Sequence, residues 1–103
     1  MKMLHIVCGE KLEQEVLDLF AALRIERYTV IRGVGGSGVT GTVSGAGNST
    51  DRNTLYMVAI EDVHIHMTQI VNGVRDLHAR HVHGCHGLEI PLKVFLLDCE
   101  VIL

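Results

Sequence analysis

The sequence has no tryptophan, only two tyrosines and two phenylalanines, and a single proline. So few aromatic side chains cannot build the stacking platform with which proteins bind single-stranded nucleic acid. A formal net charge of -3 also leaves no basic footprint for a phosphate backbone. We therefore expect no nucleic-acid partner.

Cysteines and long apolar runs are equally scarce. The sequence has three cysteines, Cys8, Cys85 and Cys99, and no two of them form a CxxC motif. This odd number argues against a disulfide framework, so we expect reduced thiols. The apolar opening stretch is interrupted by His5 and ends at Gly9, so it is too short for a signal-peptide core or a membrane span. The sequence therefore predicts a cytoplasmic protein.

Apolar residues are abundant for so short a chain. Hydrophobic residues make up 48% of the 103 residues and charged residues 20%, which indicates a single folded domain over residues 1–103. With few aromatics, its core must be built from valine, isoleucine, leucine and methionine. This apolar excess also predicts that one face is covered by another subunit.

Glycine is concentrated in one stretch, because seven of the eleven glycines lie between Gly33 and Gly47. Each glycine forgoes side-chain burial and costs roughly 0.5 to 1 kcal/mol of backbone entropy relative to alanine. The composition predicts a long loop over about 36–53. Strand-like sequences, Tyr28–Val34 and Leu55–Ile60, flank it.

The periodicity of apolar residues predicts the remaining elements. Residues 1–8 read as a buried strand, and residues from 92 onward read as a last strand. Two amphipathic helices have apolar residues at helical spacing: Leu12, Val16, Leu19, Phe20 and Leu23 in the first, and Val63, Met67, Ile70, Val71, Val74 and Leu77 in the second. The resulting order is that of a ferredoxin-like βαββαβ sandwich of class α+β, an antiparallel sheet with two helices on one face.

A second loop, rich in histidine, is predicted over about 78–91. It contains five donors that zinc, copper, nickel or cobalt accept: His78, His81, His83, Cys85 and His86. Their spacing is not that of a recognised closed site. The alternative is that neutral imidazoles line a phosphate site or a subunit interface, and the sequence leaves both interpretations open.

No catalytic constellation is predicted. The GxGxxG pattern at 33–38 is not followed by a helix, which excludes a Rossmann site but keeps a backbone nest for an anion. His5, His64 and His66 are expected in structural or solvated positions, and Cys8 and Cys99 as inert core thiols. No cysteine, serine or histidine is paired with a partner at a spacing typical of a nucleophile and its base, so we expect no enzyme.

Four stretches resemble the PII-like signalling proteins of the nitrogen regulatory protein PII superfamily: MKMLHIV, TVIRGVG, YMVAIED and LKVFLLDCEVI. The resemblance covers almost the whole chain and marks it as a divergent member. It implies a homotrimeric, non-enzymatic regulator that binds an adenine nucleotide in inter-subunit clefts. Its long flexible loop, called the T-loop in that family, would then control a partner such as a membrane transporter.

The same resemblance implies the site residues. Gly33 and Gly35 match the turn glycines and Lys93 the phosphate-contacting lysine, so the nucleotide-binding set is Gly33, Val34, Gly35, Gly36, Gly87 and Lys93. Because Gly36 stands where an arginine is expected, ADP or AMP is favoured over ATP. The CutA-like divalent-cation tolerance proteins share the architecture and supply the alternative, a metal-binding or metal-sensing protein that uses the His/Cys loop.

Overall fold

The computed structural model describes residues 1–38, 41–43, 53–61, 63–84 and 91–103. Its strands are β1 (Lys2–Gly9), β2 (Thr29–Val34), β3 (Gly36–Gly38), β4 (Gly41–Val43), β5 (Asn53–Ile60) and β6 (Leu92–Asp98). A short 3₁₀ turn, Glu10–Leu12, leads into helix α1 (Glu13–Ala22), and helix α2 spans Val63–Gly84. Four strands form one antiparallel sheet in the order β2-β5-β1-β6.

Alternating side chains give this sheet two different faces. On one face, β1 and β5 contribute buried residues at every second position, among them Ile6 opposite Tyr56 and Leu4 opposite Val58. Both helices pack on this face, since α1 residues Val16 and Phe20 and α2 residues Ile70 and Leu77 belong to the same core. The predicted ferredoxin-like sandwich with both helices on one face is confirmed.

The other face of the sheet, which we call the open face, has no helix of this chain against it in the described residues. Cross-strand register aligns Phe95, His5, Met57 and Thr29 in one row across all four strands. Adjacent rows are also mostly apolar, and the open face comprises Met3, His5, Val7, Thr29, Ile31, Leu55, Met57, Ala59, Lys93, Phe95 and Leu97. Phe95 exposes 54% of its surface.

The start of the glycine-rich stretch forms β-strands, whereas the sequence had predicted a loop there. β3 and β4 pair antiparallel, with Gly36 opposite Val43 and Gly38 opposite Gly41, to form a separate two-stranded ribbon. Such a ribbon bonds through backbone groups alone, so it needs no side-chain burial and tolerates glycine. Residues 39–40 and 44–52 of the predicted loop lie outside the described residues.

The second helix is longer than the sequence predicted. It continues from Leu77 to Gly84, so His78, His81 and His83 belong to α2. The predicted loop over about 78–91 is therefore wrong for residues 78–84, which are helical. Residues 85–90 lie outside the described residues. His81 explains the error, because it follows Val74 and Leu77 at helical spacing and occupies a place in the stripe where an apolar residue would have signalled helix.

The start of β6 is fixed against the end of β1. The backbone N–H of Gly9 donates to the carbonyl oxygen of Pro91 at 2.8 Å. A Cβ atom on Gly9 would lie 2.8 Å from the Pro91 ring, so the two backbones approach this closely only with glycine at this position. No helix in the described part of the chain combines the length and the apolar character needed to cross a membrane.

Candidate functional site

The end of β2 carries a conformation that favours glycine. Gly33 has φ 74°, in the left-handed region, and the pairing of β2 with β5 shifts register between Arg32 and Val34. Gly33 is therefore the residue at which the chain leaves the regular strand and enters the segment Gly33–Gly36, which we call the glycine turn. Four of the six predicted nucleotide-binding residues form this turn; Gly87 lies outside the described residues.

Lys93 lies at the same end of the sheet as the glycine turn, but on the opposite edge strand. Arg32, the residue before Gly33, is aligned across the sheet with Thr54, Cys8 and Leu92. Lys93 follows Leu92 directly in β6, so it lies within one residue of this row. Three strand spacings of about 4.8 Å separate the two edges, which gives roughly 14 Å. Within one chain, the backbones of Lys93 and the glycine turn therefore stand well apart, at the two edges of the sheet.

Beside the glycine turn, three donors converge on one carboxylate oxygen. Oε1 of Glu13, the first residue of α1, accepts hydrogen bonds from Arg32 Nε at 3.2 Å, Thr54 Oγ1 at 3.0 Å and Tyr56 Oη at 3.3 Å. Thr54 is the cross-strand partner of Arg32, and Tyr56 lies two residues further along β5 on the same face. We call these four residues the Glu13 cluster.

Burial and the negative charge of Glu13 act together on the pKa of Cys8 and on that of Tyr56, which belongs to the cluster. Cys8 is fully buried, and its burial, with a smaller effect from Glu13, raises the pKa of its thiol to about 12. Burial also raises the pKa of Tyr56 above its usual range, again reinforced by Glu13. Both groups therefore stay protonated in the folded protein at neutral pH, which agrees with the prediction of an unreactive thiol at Cys8.

The raised thiol pKa predicts a loss of stability in alkali. A group whose pKa is higher in the folded state contributes fully below its unfolded value, here 9.0, and loses that contribution as pH rises toward about 12. The Cys8 contribution should fall by up to about 1.4 kcal/mol per pH unit in this window. Urea unfolding at pH 8 and pH 10.5 should show a smaller alkaline loss for Cys8→Ala than for wild type. Cys99→Ala is the control, and an alkaline loss equal in all three proteins would contradict the prediction.

The predicted metal ligands do not form a site in the described residues. His78 is exposed on α2, and His81 Nε2 contacts Glu15 Oε2 of α1. The side chain of His83 and residues Cys85 and His86 lie outside the description. Among the residues described, no three histidine, cysteine, aspartate or glutamate side chains come together in an arrangement that could hold a metal ion.

A family model described as nitrogen regulatory protein P-II matches residues 1–100. The chain belongs to the P-II family. This confirms the resemblance inferred from the four sequence stretches. No curated protein matches the chain.

Among solved structures, this P-II chain is similar to CPII, a nitrogen regulatory PII-like protein from Thiomonas intermedia K12. The CPII structure bound to ADP, AMP and bicarbonate is 19% identical with a TM-score of 0.68, and the alignment covers 97% of this chain and 86% of CPII. A CPII structure bound to ADP and bicarbonate has the same coverage and TM-score at 18% identity. At such identities the likeness shows a shared fold.

The Glu13 cluster was not predicted from the sequence. Arg32 belongs to the strand predicted over Tyr28–Val34, and no motif in the sequence marks Glu13 as its partner. Nothing in the local periodicity places residues 13, 32, 54 and 56 together, because their convergence depends on how α1 crosses the β2–β5 pair. A weak signal was available, since a predicted antiparallel pairing of these strands brings Arg32 near Thr54.

Proposed function

We propose that this P-II family protein is a non-enzymatic signalling regulator that binds an adenine nucleotide, ADP or AMP, in clefts between the subunits of a homotrimer. The observation that carries the proposal is the placement of the glycine turn and Lys93 at one end of the sheet on opposite edges. Two neighbouring chains could present these edges to one ligand. The glycine turn would supply backbone N–H groups and Lys93 a positive charge, the two kinds of donor that phosphate oxygens accept.

The nucleotide would control the long segment that follows the glycine turn. Residues 36–53 continue directly from Gly35, so a ligand that fixes the turn also fixes the point from which this segment leaves the sheet. Ligand binding would then shift the segment between states that do or do not contact a partner. A membrane transporter is the partner class we propose, because a segment of this length suits occlusion of a channel mouth.

The family membership and the CPII structures support the choice of ligand. CPII structures contain ADP together with AMP, bicarbonate or acetate, so these molecules define the titrations to perform. Isothermal titration of the protein with ADP, AMP and ATP, each with and without bicarbonate, tests the proposal. We expect saturable binding of ADP and AMP, weaker binding of ATP, and sites equal in number to the chains. Absence of saturable binding for all three nucleotides would refute it.

Removal of the Lys93 charge should weaken ADP binding roughly tenfold or more, because a charge-assisted contact to phosphate contributes about 1.5 to 3 kcal/mol. Lys93→Ala measured by the same titration checks this. Arg75→Ala is the matched control, since Arg75 is an exposed cation on α2 that is not one of the predicted nucleotide-binding residues. Equal losses in the two variants would indicate a general charge effect and contradict a direct contact by Lys93.

A further inference from the structure

The Glu13 cluster links the start of α1 to both strands from which the long segment emerges. Its donors come from β2 and β5, and all three bond the same oxygen, Glu13 Oε1, at 3.0 to 3.3 Å. One carboxylate therefore joins three elements at the end of the sheet where the glycine turn begins.

Burial differs sharply across this cluster. Thr54 and Tyr56 are buried at 3% and 0% exposure, whereas the Arg32 side chain is 66% exposed and that of Glu13 is 21% exposed. The buried hydroxyls fix the position of the carboxylate from inside the protein. Arg32 contacts it from the solvent side, so the position of Arg32 is the part of the cluster that depends on the charge of Glu13.

Arg32 is also the last residue of β2 before the register shift. The next residue, Gly33, has φ 74°, and Val34 resumes pairing with β5 opposite Asn53. Because Arg32 and Gly33 share a peptide bond, restraint of the Arg32 side chain restrains the backbone at the first residue of the glycine turn.

We infer that Glu13 is a positioning residue for the nucleotide site, acting through Arg32 to hold the glycine turn in its binding conformation. This inference rests on the proposed function and adds to it a residue that does not contact the ligand. It predicts that nucleotide affinity depends on a charge pair located on the helix-covered face of the sheet.

The experiment compares Glu13→Gln with Glu10→Gln. Glutamine keeps the size of the side chain and an oxygen that accepts from Thr54 and Tyr56, but it loses the charge that holds Arg32. Glu10 is exposed in the preceding 3₁₀ turn and controls for the lost charge. For a pair this exposed, we expect Glu13→Gln to weaken ADP binding roughly two- to fivefold, with no change in Glu10→Gln.

Two further measurements separate positioning from general destabilisation. If Glu13 acts through Arg32, Glu13→Gln should weaken ADP binding no further in an Arg32→Gln background, whereas independent structural damage would add. In the ligand-free protein, hydrogen exchange at the amides of residues 33–36 should be faster in Glu13→Gln than in Glu10→Gln, at an unchanged urea midpoint.

The outcomes distinguish this inference from the proposed function. Unchanged amide exchange in the glycine turn, or unchanged ADP affinity of Glu13→Gln, overturns the positioning role while nucleotide binding by wild type still stands. A wild-type protein that binds no adenine nucleotide overturns the proposed function, and the exchange measurement then decides whether Glu13 positions the turn. Additive losses in the double variant overturn the route through Arg32.

Discussion

Replacement of Gly33 with valine is expected to weaken ADP binding roughly ten- to hundredfold. Gly33 adopts φ 74°, and a non-glycine residue in the left-handed region costs about 1 to 3 kcal/mol, with β-branched side chains at the unfavourable end. A valine would relax this strain by changing the backbone at the point where β2 passes into the glycine turn. The donors of the turn would then no longer converge on the ligand.

A conservative variant makes this prediction specific to backbone conformation. Asparagine tolerates the left-handed region better than other residues, so Gly33→Asn should bind ADP within a few-fold of wild type. Calorimetric titration of both variants, with urea unfolding to verify that each is folded, decides the matter. Equal affinity of Gly33→Val and wild type would show that the conformation of Gly33 is not needed for binding.

The second large effect concerns assembly, because the open face presents an apolar surface to solvent in the isolated chain. Met57 lies near its centre, between His5 of β1 and Thr29 of β2 in the cross-strand register. If other subunits cover this face, Met57→Asp buries a carboxylate among apolar side chains, at a cost of several kcal/mol per subunit. We expect this variant to dissociate into monomers.

Light scattering measures the result directly. Wild type should have a mass three times that of the 11.3 kDa chain, and Met57→Asp should have the mass of one chain. Gln69→Asp introduces the same carboxylate at an exposed position of α2 and should leave the trimer intact. A Met57→Asp protein that retains the wild-type mass would show that the open face is not the subunit interface.

The parts of the fold that the sequence predicted are those with a local, repeated signal. Strands β1 and β5 are short apolar runs, and the buried residues Leu12, Val16 and Phe20 recur at helical spacing, so the four-strand, two-helix order could be predicted from the local sequence pattern. The glycine turn was predictable for a related reason. A glycine at the end of a β-branched strand commonly marks a bulge or a tight bend.

The errors occurred where long-range contacts replace the local signal. His81 lies in the α2 stripe because its imidazole contacts Glu15 of α1, and this pairing has no trace in the sequence pattern. The Glu13 cluster joins residues up to 43 positions apart, so no window along the chain contains it. The β3–β4 ribbon was missed because glycine-rich strands pair through backbone groups and carry no hydrophobic alternation.

In the proposed function, one adenine nucleotide binds between the glycine turn of one chain and Lys93 of its neighbour. Co-expression of Lys93→Ala and Gly33→Val chains with different affinity tags, followed by purification on both tags, isolates mixed trimers. In a cyclic trimer with a shared site, each mixed assembly contains a cleft with both residues intact, whichever variant is in excess. Titration should therefore give about one tight ADP per mixed trimer, while the parent homotrimers bind weakly. Mixed trimers without a tight site, beside a wild type that binds ADP, would contradict the account.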